Sequence, residues 1–132
     1  MENITTIQID WSDLDAYAHV NNTVYFRMAQ SARIHLSEKL GVSATDTHSF
    51  GFILAESNCK FIRQVRYPDT IKIVTKVSWI KNSSFQLEHE MYNDQQELVA
   101  KNYDILVMFD YQQNSKMNIS DELRSKILNF SE

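Results

Sequence analysis

The chain of 132 residues is 43% hydrophobic and 23% charged, the make-up of one ordinary soluble domain and too short for two independent cores. Two Gly and one Pro exclude a collagen-like or disordered chain and a glycine-rich nucleotide cradle, each of which needs many such residues or a cluster of them. A formal net charge of -4, from 13 Lys and Arg against 17 Asp and Glu, argues against general attraction to nucleic acid or an anionic membrane.

Ile7, Ile9 and Trp11 alternate with Gln8 and Asp10, which predicts a short strand with one buried face, ending at the polar Ser12-Asp13. From Asn22 the period changes: Val24, Tyr25, Met28, Ala29, Ala32, Leu36 and Leu40 recur at three- and four-residue spacing and Gly41 stands as the stop. This is one long helix of about five turns. Residues 44–51 allow a short helical turn, and the brief apolar run 52–55 does not resolve into helix or strand by period. Beyond them strands are expected over residues 59–67, 70–80, 85–92 and 97–109, separated by the turn sequences Tyr67-Pro68-Asp69, Lys81-Asn82-Ser83 and Asn93-Asp94-Gln95. Connections this short imply antiparallel neighbours. Ser120 before Asp121-Glu122-Leu123 reads as an N-cap opening a last helix to about Leu128.

The order of elements predicts a single α+β domain over residues 1–132, an antiparallel sheet of about five strands packed on one helix. Its exposed edges make self-association the expected remedy. The longest apolar run, residues 105–109, is far below the roughly 20 needed for a membrane span, and Met1-Glu2-Asn3 opens no basic-then-apolar leader, so a cytoplasmic protein is expected.

The densest polar stretch, Asp13-Leu14-Asp15-Ala16-Tyr17-Ala18-His19-Val20-Asn21-Asn22, lies between the first strand and the long helix. A helix start offers unpaired backbone N–H groups and the positive end of the macrodipole, suited to an anion or a polarised carbonyl oxygen. A carboxylate opposite such donors suits acyl transfer from a thioester, whose thiol needs little help to leave. The same acids could instead be solvated or capping groups, and Asp13, Asp15 and His19 could hold a metal, although no recognised ligand spacing supports that. Asn22 reads as a helix cap, Tyr25 as core or interface, and Cys59 as a small buried strand residue. Lys60, Arg63 and Arg66 could bind phosphate or form a solvated face. His35, His48 and His89 carry no further signal.

Asp15, His19-Val20-Asn21-Asn22, Tyr25 and Arg33 resemble the Asp-x-x-Gly-His-Val-Asn-Asn-x-x-Tyr pattern of hotdog-fold acyl-CoA thioesterases, with the 4-hydroxybenzoyl-CoA thioesterase family the nearest group. The similarity runs over most of the chain. It implies a five-stranded sheet wrapped around the helix, a homodimer or homotetramer with a composite site at the interface, and an acyl-CoA or acyl-carrier-protein substrate without metal or redox cofactor. It further implies Asp15 as nucleophile or general base and backbone amides near Asn22, Thr23 and Val24 as the oxyanion hole, with His19, Asn21 and Tyr25 beside the substrate. Two departures stand out: Ala18 replaces the usual glycine and Gln30 a frequent helix Glu. They motivate a second reading, a noncatalytic acyl-thioester binding module. A dehydratase of the same fold is a third, lacking the expected Asp and His arrangement.

Overall fold

A computed structural model describes residues 1–46 and 48–131. Strand β1 (Asn3–Gln8) stops before Asp10, whose side chain accepts the Ser12 N–H at 2.9 Å while Asp13 Oδ2 accepts the Asp10 N–H at 2.8 Å. This reciprocal cap turns residues Trp11–Asp13 into a 3-10 turn, so Trp11 is not the strand residue that alternation suggested.

Helix α1 (Asn22–Lys39) follows the apolar spacing: Val24, Tyr25, Met28, Ala29, Ala32 and Leu36 are all buried. Its N-cap is Asn21, one residue earlier than expected, with Oδ1 accepting the Thr23 N–H at 3.1 Å. Asn22 is therefore the first helical residue. At the other end Gly41 takes φ 77, the left-handed backbone of a helix stop.

Strand β2 (Phe50–Phe61) begins within the stretch that period left open and ends six residues before Tyr67. It forms an edge of the sheet, its exposure does not alternate, and its register shifts between Leu54 and Glu56, which hides it from a period-two reading. Among the described residues 44–49 there is no helix, and Thr47 lies outside them.

Strands β3 (Thr70–Ile80), β4 (Ser84–Tyr92) and β5 (Leu98–Asp110) match the expected runs within a residue or so. A short β6 (Ser115–Lys116) folds back on β5, and α2 (Asp121–Leu128) is capped by Ser120.

The sheet order is β1-β3-β4-β5-β2, with every pair antiparallel. The short turns do join neighbours at β3-β4 and β4-β5. The Tyr67-Pro68-Asp69 turn does not: β2 pairs with β5, and residues 62–69 carry the chain across to β3. Helix α1 lies against β1 to β5, giving the α+β layering that the order of elements predicts. Among the described residues no helix is long and apolar enough to cross a membrane.

The core under α1 is divided. One apolar cluster surrounds Tyr25, Met28, Ala29, Met91 and Val99, and a second surrounds Leu36, Phe85, Leu87, Met108 and Ile127. Between them a polar row crosses the sheet, because Asn3, Thr75, His89, Asn102 and Cys59 are successive register partners. Asn3, Thr75, His89, Asn102 and the adjacent Asp104 are fully buried.

Candidate active site

The segment between the 3-10 turn and α1 is a tight hairpin. Leu14 bridges Val20, the Asp15 N–H donates to the His19 carbonyl at 2.8 Å, and the Ala18 N–H donates to the Asp15 carbonyl at 3.1 Å. Closing so short a turn requires Ala18 at φ 61, in the left-handed region that glycine adopts without cost. The backbone is therefore the one a glycine would supply, with an alanine strained into it.

Inside this turn Asp15 Oδ1 accepts N–H bonds from Tyr17 at 2.8 Å and His19 at 3.2 Å. Its other oxygen takes no hydrogen bond from the described residues, and the side chain is exposed. Two amides thus aim the carboxylate and leave one oxygen open. The hairpin is tied down on both sides: the Val20 N–H donates to the Val65 carbonyl, and the Asn21 N–H to the Asp13 carbonyl, each at 2.9 Å.

Asp13 has the opposite character. Its carboxylate is 3% exposed and meets the Arg27 guanidinium at 2.6 Å besides the Asp10 amide. It braces the turn against α1, and the loop's two acids divide into an anchoring group and an open one.

Of the three helix-start amides expected as donors, two are occupied. The Thr23 N–H is capped by the Asn21 side chain, and the Val24 N–H donates to the Asn21 carbonyl at 2.9 Å. Only the Asn22 N–H has no acceptor among the described residues, and it sits at the positive end of α1.

These groups meet at a cavity of about 390 Å³, lined by Asp15, His19, Val20, Asn22, Tyr25 and the stretch Phe61, Ile62, Arg63, Gln64 and Val65. That is within the size range of small-molecule sites. Asn21, the helix cap, and the helix residues Thr23, exposed, and Val24, buried, are not among the residues that line it. The wall formed by residues 61–65 was not legible in the sequence; the Val20–Val65 hydrogen bond that places it joins residues far apart in the chain. Of the basic residues singled out, only Arg63 reaches the cavity, and it pairs with Glu97 at 3.5 Å.

The Tyr25 ring is 4% exposed and meets Phe61 edge to face, with centroids 5.1 Å apart. Burial, reinforced by nearby Cys59, pushes the Tyr25 phenol up, so it stays protonated at neutral pH. Burial, with the Asp104 charge behind it, pushes the Cys59 thiol up to about 11. A thiol so rarely ionised at neutral pH is a poor nucleophile, and Cys59 is not among the residues that line the cavity.

The histidine that sequence reasoning passed over, His89, belongs to the buried belt. Its Nε2 donates to Asp104 Oδ2 at 2.9 Å, and Nδ1 lies 2.8 Å from Thr75 Oγ1. Arg33 and Ser57 complete the shell of Asp104 at 2.8 and 2.6 Å. Burial works to raise the Asp104 carboxyl, but the His89 and Ser57 bonds and the Arg33 charge outweigh it and hold the group below the ordinary range.

The profile of the thioesterase-like superfamily matches residues 9–127. Among solved structures, the PA2801 protein of Pseudomonas aeruginosa, a candidate thioesterase, superposes with a TM-score of 0.87 at 27% identity, covering 95% of this chain and 97% of that one. The DHNA-CoA thioesterase of Staphylococcus aureus superposes with a TM-score of 0.85 at 20% identity, covering 97% and 93%. The YsmA protein of Bacillus subtilis strain 168, without an assigned role, is 22% identical over 92% of this chain and 82% of its own length. The fold is the hotdog fold of these thioesterases, as the sequence motif implied.

Proposed function

The chain belongs to the thioesterase-like superfamily, and from that premise we propose that it hydrolyses an acyl-CoA to the free acid and CoA, with Asp15 as the reacting carboxylate. The observation that carries this reading is the pairing of one unbonded carboxylate oxygen on Asp15 with the unpaired Asn22 N–H on the same cavity. The amide would take the charge developing on the thioester oxygen. The carboxylate would then either attack the carbonyl carbon, forming a mixed anhydride that water opens, or remove a proton from an attacking water. In both routes the C–S bond breaks and the sulfur departs as a thiolate, which needs no strong general acid.

His19 and Tyr25 supply the polar and apolar lining beside the reacting atoms. Ala18 does not weaken the reading, since the left-handed backbone that aims Asp15 is kept. For the assembly we propose pairing of two copies along β2, whose outer edge has no partner strand among the described residues and whose Phe50, Ile53 and Leu54 are exposed.

The test is free-thiol release from a panel of short, long and aromatic acyl-CoAs, with wild type beside Asp15→Asn. Wild type is expected to release CoA, and the variant's kcat to fall by at least about 100-fold. Binding of acyl-CoA without release by wild type would install the binding-module reading instead.

A further inference from the structure

We propose that Tyr25 and Phe61 form the floor of the acyl pocket and restrict it to short-chain or single-ring acyl groups. The proposal deepens the hydrolase reading and rests on its placing of the acyl group in this cavity.

The polar lip of the cavity, Asp15 and Asn22, lies at the start of α1, and Tyr25 follows one helical turn deeper. Its ring meets that of Phe61, the last residue of β2, at an interplanar angle of 83°. Both rings line the cavity, so an acyl group entering from the polar lip meets the edge-to-face pair. The two rings differ in how firmly they are held. Tyr25 is 4% exposed, while Phe61 is 51% exposed, so Phe61 is the replaceable half of the floor.

The apolar cluster that holds Tyr25 contains Met28, Met91 and Val99, with small side chains at Ala29 and Ala100. Ala29 lies one turn further along α1, and Ala100 is the register partner of Phe61; both are fully buried. The next step along β2 and β5 brings the pair Cys59 and Asn102, where the buried polar row begins. Two residues of strand advance about 7 Å. Removing the Phe61 ring would therefore open a limited extension that ends against amide and imidazole groups, a surface on which more alkyl chain gains nothing.

The experiment uses acyl-CoA thioether analogues, which cannot be hydrolysed, graded from butyl to dodecyl. Their affinities are measured for wild type, Phe61→Ala and Phe61→Trp, together with kcat/KM for the matching thioesters. Wild-type affinity is expected to stop rising at a short chain. Phe61→Ala should raise the octanoyl-to-butyryl ratio roughly tenfold or more, with no further gain at dodecyl, and Phe61→Trp should lower it. An unchanged ratio in both variants overturns the floor. Length-dependent affinities that shift as stated without thiol release would uphold the floor and remove the hydrolase reading; thiol release with one length profile in all three proteins would do the reverse.

Discussion

Helix α1 meets an aspartate near its start and another at its middle, and the two are treated in opposite ways. Asp104 is fully buried and each of its oxygens is occupied, by Ser57 on one side and by Arg33 and His89 on the other. Asp15 is exposed, held through one oxygen by two backbone amides, with the other left open. Under the proposed function the difference separates holding from reacting. A carboxylate enclosed by donors joins four elements of the fold, β5, β2, β4 and α1, and is inaccessible to any substrate. A carboxylate aimed by backbone alone keeps a lone pair for chemistry and contributes little to stability.

The contrast is broken most severely at the buried end. Replacing Asp104 with Asn leaves the Arg33 charge without its partner, so urea unfolding at neutral pH should show a loss of about 3–5 kcal/mol. Because the folded carboxyl lies below its unfolded value, its contribution is complete above about pH 4 and is lost as pH falls through the lower folded value. The gap between wild type and variant should accordingly narrow in acid. A gap of constant size down to pH 2 would mean that the ionised carboxylate is not the stabilising species.

A smaller effect is expected where the Asp15 turn is anchored. Asp13→Ala removes a buried acceptor of the Asp10 amide and the partner of Arg27, which should cost about 1–3 kcal/mol. Arg27 is 57% exposed, so Arg27→Ala should cost about 1 kcal/mol or less, since solvent screens the pair. Equal losses in the two variants would show that the ion pair, rather than the capping bond, braces the turn. The smallest change sharpens the contrast instead. Ala18→Gly relieves about 1–2 kcal/mol of left-handed strain against about 0.4–1 kcal/mol of added freedom in the unfolded chain. Tm should rise by about 2–3 °C; a fall would indicate that the turn is not strained.

Local signals made most elements legible. The apolar spacing from Val24 to Leu36 marks the buried face of α1, and Gly41 and Ser120 mark helix ends through their own backbone and side-chain chemistry. The Asp15 turn was legible for the same reason, since its hydrogen bonds join residues no more than four apart. What escaped the sequence depends on long-range pairing. Strand β2 does not alternate and its register shifts between Leu54 and Glu56, so neither its start at Phe50 nor its pairing with β5 could be read from period. His89 and Asp104 look like isolated polar residues on alternating strands until the register sets them beside Thr75, Ser57 and Arg33. The donor set was also narrower than the motif implied, because a cap at Asn21 rather than Asn22 engages the Thr23 amide and leaves that of Asn22.

The central claim is that Asp15 serves the reaction and not the fold, and one preparation of Asp15→Asn tests both halves, with Tm and thiol release measured together. The amide oxygen of Asn can accept the Tyr17 and His19 N–H bonds, so Tm should match wild type while release falls by at least about 100-fold. A variant that melts with wild type and releases CoA at the wild-type rate would contradict the account.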